Sequence, residues 1–301
     1  MELSFDRLSK HYGSKIAVDQ VSAVLGTGVY GLLGANGAGK TTLMRMLCGI
    51  LEPTAGEVFF DGKSITDLGA QYRNVLGYLP QDFGYYPGDT AEEFLMYMAA
   101  LKGIPRQIAK KRVKELLEVV DLRACASKRL KTFSGGMKQR IGIAQALLNQ
   151  PEVVILDEPT AGLDPRERVR FRNLLSDYAE NKIVILSTHI VSDIEAIADE
   201  VLLMKKGNIV QQGTVSELVE RARGKVWELT VSSKEARGWQ KKATVANLRH
   251  EGENTVLRII ADHKPDERAI CCEAALEDLY LYYFPTENIF PTENFPAEKG
   301  V

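Results

Sequence analysis

Residues 28–42 run Gly28-Val29-Tyr30-Gly31-Leu32-Leu33-Gly34-Ala35-Asn36-Gly37-Ala38-Gly39-Lys40-Thr41-Thr42. An apolar run closes on a glycine-rich turn, and a helix is expected to start near Lys40. From Gly34 to Thr41 the stretch fits GxxxxGK[ST], and a strand before it with a helix after it is the context that pattern requires. The glycines let backbone N–H groups converge on phosphate oxygens with no Cβ in the way. The helix N-terminus adds the positive end of its dipole. The Lys40 ammonium is suited to the β- and γ-phosphates and the Thr41 hydroxyl to Mg²⁺. Gly34, Asn36, Gly37, Ala38, Gly39, Lys40, Thr41 and Thr42 are therefore the expected phosphate contacts. Alone, the pattern specifies nucleotide binding and leaves the machine open.

Outward from this turn, the chain alternates strands and helices. Strand-like pieces precede it at Glu2 to Phe5 and Val18 to Leu25, and follow it at Gly56 to Phe60 and Gly77 to Pro80. From about 90 to 148 the texture is helical. Thr90 with Glu93 matches a capping box, and Arg112 to Val120 places apolar residues at helical spacing. Val153 to Leu156 and Ile183 to Leu186 are near-continuous apolar runs, as expected for strands covered on both faces. Asp164 followed by Pro165 reads as an N-cap with proline at the first helical position. Val201 to Met204 and Asn208 to Gln211 read as a hairpin around Lys206-Gly207. Beyond Arg221, alternating pieces at Val226 to Val231, Thr244 to Leu248 and Val256 to Ile260, then a helix over Ala274 to Phe284, make a small α+β extension over 222–284. Residues 285–301 repeat PTENIF and PTENF among prolines and polar residues, so a disordered tail is expected there.

Composition narrows the functional classes. A chain of 301 residues accommodates one large α/β domain and a small appendage. A formal net charge of −2 lacks the basic excess expected of a nucleic-acid binder. Cys48, Cys125, Cys271 and Cys272 form no CxxC pair, which leaves zinc or dithiol chemistry without a spacing behind it. No apolar signal-peptide core is visible, and no apolar run approaches the roughly 18 to 20 residues that cross a bilayer. If something crosses a membrane, another chain is expected to supply the path.

Two further clusters carry chemistry. Val153-Val154-Ile155-Leu156-Asp157-Glu158 is a buried strand ending in two carboxylates. In an open α/β sheet ligands sit beyond the carboxyl ends of the strands. Asp157 is there expected to hold the hydration shell of Mg²⁺, and Glu158 to polarise an attacking water. Phe133-Ser134-Gly135-Gly136-Met137-Lys138-Gln139-Arg140 opens a helix with a serine and two glycines, a second anion-ready helix end. Here the chain resembles the ATP-binding subunits of ABC transporters. The segment is similar to their LSGGQ signature, with Phe133 in place of the leucine and Met137 in place of the glutamine.

The resemblance covers residues 1 to about 220 and implies a P-loop NTPase core of ABC type, with a mixed β-sheet and a helical subdomain. It implies ATP and Mg²⁺ as ligands, with Thr41, Gln81 and Asp157 around the metal. It implies Tyr12 stacked on adenine, and Ala161-Gly162-Leu163-Asp164 as the loop linking two active sites. It implies His189, in Ser187-Thr188-His189, on the γ-phosphate, and Lys40, Gln81, Glu158 and His189 as the catalytic set. Ser134, Gly135 and Gly136 would contact ATP held by a second copy or a homologous subunit, paired head to tail. A permease in the membrane would be the other partner, placing the chain peripherally on the cytoplasmic face. The residues around the motifs, and Leu276 to Tyr282, are similar to exporter-like drug or antibiotic-resistance systems. Tyr85-Tyr86-Pro87 lies where such a permease would dock, or packs as an ordinary loop. A non-transport assembly or regulatory role stays as the alternative, and the extension after 221 fits a regulatory, dimer-stabilising or purely structural module equally.

Overall fold

In a computed structural model of the chain, residues 1–285 are described, and they form two units, one over Met1–Val215 and one opening at Ser216. The tail expected over 285–301 lies, from residue 286 on, outside the described residues. In the first unit, β1 (Leu3–Tyr12), β2 (Lys15–Leu25), β4 (Ala55–Phe60) and β5 (Lys63–Ser64) make an antiparallel sheet in the order β2-β1-β4-β5. A six-stranded sheet takes β3 (Gly28–Leu33), β6 (Leu76–Leu79), β7 (Val153–Asp157), β8 (Ile183–Ser187), β9 (Glu200–Lys205) and β10 (Asn208–Thr214), in the order β10-β9-β3-β8-β7-β6. Only β10 is antiparallel within it, hairpinned to β9 around Lys206-Gly207. Every residue of β7 and β8 is buried, which is why those segments read as unbroken apolar runs.

The helices are α1 (Lys40–Leu47), α2 (Ile65–Leu68), α3 (Ala70–Val75), α4 (Ala91–Leu101), α5 (Arg106–Val119), α6 (Gly135–Ala146), α7 (Pro165–Tyr178) and α8 (Val191–Ile197). Leu43, Met44, Met46 and Leu47 of α1 share one core with Leu3, Phe5 and Val18 of the antiparallel sheet and with Ile155, Ile185 and Leu202 of the other. Burying such a side chain stabilises by roughly 1.5–3 kcal/mol, so α1 is fixed from both sides. α4, α5 and α6 pack on one another as the helical subdomain. The expected capping box forms at Thr90/Glu93 on α4, and Asp164 caps α7 with Pro165 in the first turn as expected, Glu167 completing a capping box there.

The first strand is longer than the sequence indicated. β1 continues through Tyr12 because register shifts between Phe5 and His11, with Arg7 at φ 45°, break the alternation that marks a strand.

The second unit opens earlier than the boundary read after Arg221, since α9 (Val215–Arg221) belongs almost wholly to it. Its sheet has the order β12-β13-β11-β14, from β11 (Val226–Ser232), β12 (Thr244–Glu251), β13 (Asn254–Ile260) and β14 (Ile270–Cys271). Besides α9, it contains α10 (Ser233–Lys242) and α11 (Leu276–Tyr283). α10 was not expected. Gly238 lies within it as a poor helix former, and Ala236 and Trp239 are the side chains it turns to the core, too few for a visible apolar stripe. The Ser232/Glu235 capping box starts it.

Candidate active site

The strand order of the parallel sheet assembles the site. β6, β7, β8 and β3 are neighbours, and their carboxyl ends lead to Gln81, to Asp157 and Glu158, to His189, and to the glycine turn before Lys40. Four segments that are far apart in sequence thus reach one edge of one sheet, as open α/β sheets require of a ligand site. A cavity of about 380 Å³ lies there, lined by Tyr12, Lys15, Ala17, residues 36–42, Gln81, Asp157 and Glu158.

The turn over Gly34 to Gly39 is shaped by backbone contacts. Gly39 has φ 107°, and a Cβ on it would lie 2.3 Å from the Ala17 carbonyl oxygen; one on Gly34 would lie 2.3 Å from that of Met204. Gly37, at φ 79°, faces open space. Lys40 is only 8% exposed, and its Nζ donates to the carbonyls of Gly34 (2.6 Å) and Ala35 (3.3 Å). Burial pushes the ammonium pKa below its usual value, while the charges of Glu158 and Asp157 pull it back up.

The acidic pair is held by β8. Asp157 and Ser187 are register partners across β7 and β8, and the Ser187 hydroxyl donates to Asp157 Oδ1 at 2.6 Å. Asp157 Oδ2 is buried and has no hydrogen-bond partner among the described residues. Glu158 has φ 53°, a conformation rare for a side chain without special support. Its N–H is accepted by the Ser187 carbonyl (3.1 Å) and by Ser187 Oγ (3.2 Å). Glu158 Oε2 shares a 2.8 Å hydrogen bond with Nδ1 of His189, whose ring is largely exposed. Below, Thr160 and Thr188 hydroxyls meet at 3.4 Å.

The second helix end stands elsewhere. Ser134 caps α6, its Oγ accepting from the Met137 N–H at 3.2 Å, and Gly135 is exposed. Gly136 is pressed against Glu167, where a Cβ would come within 2.7 Å of Oε2. Ser134, Gly135 and Gly136 do not line the cavity of their own chain. Beside α6, a cleft of about 280 Å³ holds ion pairs rather than phosphate ligands: Arg140 with Glu167 at 3.0 Å, and Arg170 with Asp121 at 2.6 Å.

Every other expected site residue lines the cavity or bonds a residue that does, Gly34 through Lys40 and His189 through Glu158. Sequence reading missed Ser187 and Gln139. Ser187 carried a signal, a hydroxyl at the end of an apolar strand. Gln139, whose Nε2 donates to the Glu158 carbonyl at 3.1 Å, carried none of its own.

Residues 19–161 match the family described as ABC transporter. An uncharacterized ABC transporter ATP-binding protein of Bacillus subtilis (strain 168) is 40% identical over 79% of this chain and 79% of its own. The chain belongs to the ABC transporter ATP-binding family. Other members similar to it are the linearmycin resistance ATP-binding protein of the same organism (36% identical, 76% of this chain and 75% of that one) and the bacitracin transport ATP-binding protein of Bacillus licheniformis (38%, 81% and 77%). A solved ATP-binding subunit of an ABC transporter superposes with a TM-score of 0.67 at 29% identity, over 73% of this chain and 93% of that one. A dimeric bacterial ABC transporter cassette superposes at 0.66 and 25% identity, over 70% and 98%. The fold is thus that of an ABC-type P-loop ATPase, and ATP is the nucleotide this family binds and hydrolyses.

Proposed function

We propose that the chain is the ATP-hydrolysing subunit of an ABC exporter, working as a head-to-tail pair beneath a separate permease. The observation that carries this reading is a separation. One chain holds a complete phosphate cradle with its carboxylates, and also a second anion-ready helix end that stays out of that cradle. A second subunit turned by a twofold axis would bring each Ser134–Gly136 end onto the other's ATP. The dimeric form of the similar bacterial cassette supports the pairing.

In this reading, backbone N–H groups of residues 36 to 41 and the Lys40 ammonium bind the β- and γ-phosphates. Lys40 then exchanges its two carbonyl contacts for phosphate oxygens. Tyr12, about half exposed at the cavity wall, offers its ring to the base. The unpartnered Asp157 Oδ2, with the Thr41 hydroxyl and the Gln81 carboxamide lining the same cavity, forms an oxygen-only set that fits Mg²⁺. When bound, that ion supplies positive charge to the phosphate oxygens. Glu158 accepts a proton from the attacking water, with His189 holding the carboxylate's orientation and reaching the γ-phosphate.

No helix among the described residues is long and apolar enough to cross a membrane, so a partner chain would provide the path. Outward transport is favoured by relatives named for linearmycin resistance and bacitracin transport. Tyr86 and Tyr97 stack edge to face at 5.5 Å, with both rings substantially exposed beside the segment that follows Gln81, and fit a permease contact.

The test is Glu158→Gln. It should bind ATP, lose turnover by about 10²-fold or more, and run as a nucleotide-trapped dimer in gel filtration. Near-normal turnover would remove Glu158 from the role of base.

A further inference from the structure

We propose that Gln139 is a positioning residue that ties the geometry of Glu158 to the helix carrying Ser134, Gly135 and Gly136. The proposal rests on Glu158 acting as the general base. Glu158 sits in the left-handed region, which an L-residue leaves unless its surroundings hold it there. Its peptide is held from two directions. On the amino side, Ser187 of β8 accepts its N–H through both carbonyl and hydroxyl. On the carboxyl side, its carbonyl accepts from the Ala161 N–H at 3.2 Å and from the Gln139 carboxamide at 3.1 Å. Of these supports, only Gln139 comes from the helical subdomain. It is buried, 9% exposed, and its donor points at the one residue whose carboxylate meets His189.

α6 is a stiff connector. Ser134 caps it and Gln139 lies five residues on, roughly 7.5 Å along the axis at ~1.5 Å per residue. The same rod therefore presents an anion-ready end away from its own cavity and a hydrogen-bond donor to the base inside it. An ATP phosphate that seats α6 from the partner's side would also seat Glu158 of this subunit. The two sites would then report occupancy to each other through the hydrogen bond from Nε2 to the Glu158 carbonyl. The Ala161 N–H remains on that carbonyl when the Gln139 donor is removed, so the turn keeps a partner and what it loses is the link to α6.

The experiment is a double-mutant cycle on the purified full-length chain, using steady-state ATP hydrolysis and gel filtration. Gln139→Met keeps the length and bulk and deletes the donor. It should lower kcat by about tenfold or more while KM for ATP stays within about twofold. Gln139→Asn, whose amide falls short of the carbonyl, should show the same split. In the Glu158→Gln background, Gln139→Met should cost no further turnover and leave the ATP-trapped dimer intact, because both changes act through one group. The proposal is overturned by unchanged kcat in both single variants, by ATP affinity falling in step with kcat, or by fully additive losses in the double variant. Normal turnover in Glu158→Gln alone would instead overturn the base assignment, and this inference with it.

Discussion

Gly39 and Gly37 lie two residues apart in one phosphate turn, yet the structure asks different things of them. Both have positive φ, but a Cβ on Gly39 would run into the Ala17 carbonyl oxygen whereas one on Gly37 meets nothing within 4 Å. Gly37→Ala should therefore cost only backbone strain, about 1–2 kcal/mol. Gly39→Ala adds a clash with main chain that cannot swing aside, and β2 or the turn must move. We expect Gly39→Ala to lower the melting temperature more than Gly37→Ala and to lose ATP binding, as thermal unfolding and fluorescent-nucleotide titration would report. Equal effects of the two substitutions would mean that the turn relaxes freely around Ala17. At the same scale, Lys40 is bonded to two carbonyls of the loop it serves. That arrangement offsets part of the cost of burying an ammonium and keeps the donor poised within reach of phosphate.

Among the elements, α11 is the clearest case of one ion pair fixing a helix. Arg258 of β13 reaches it with Nε to Asp278 Oδ1 at 2.8 Å and Nη2 to Oδ2 at 2.6 Å, while Asp278 Oδ2 also accepts the Ala275 N–H that opens the helix. Asp278 is 2% exposed, so its charge is tolerable only with that fork in place. Asp278 raises the Arg258 pKa above its already high value, first through the hydrogen bond, so the guanidinium stays charged at any working pH. Arg258→Met should destabilise the second unit by about 2–3 kcal/mol, below the range for a fully buried pair because the arginine is partly exposed. Amide exchange in α11 should speed up while ATP hydrolysis, housed in the unit over Met1–Val215, continues. Unchanged exchange there would show that apolar contacts of Leu276 and Leu279 hold the helix by themselves.

For the whole molecule, the decisive prediction concerns company. Extraction from native membranes in mild detergent should bring down a multi-span membrane protein in roughly equal amount. Recovery of the chain without such a partner would leave the ATPase standing and move its role to an assembly or regulatory function. The second unit has its own core of Leu229, Val231, Leu257 and Ile259, so it is a module in its own right rather than a frayed extension.

The sequence by itself determined the phosphate turn, the acidic pair, the signature helix and the two fully buried strands. Each is contiguous, and its chemistry or its periodicity is set by residues within a few positions of one another. Tyr12 and His189 were legible only because the resemblance supplied their places; nothing local marks a lone tyrosine on a bulged strand or a histidine after an apolar run. Tertiary structure decided the rest. The hydroxyl of Ser187 on Asp157, the left-handed Glu158, the bond from Glu158 to His189 and the bond from Gln139 to the Glu158 carbonyl all join residues 19 to 31 positions apart or depend on such joins. They exist because β8 lies between β3 and β7 in one particular register and α6 packs on β6, the strand beside β7. Strand order and register are settled by the packing of the complete core, which no local window of sequence contains.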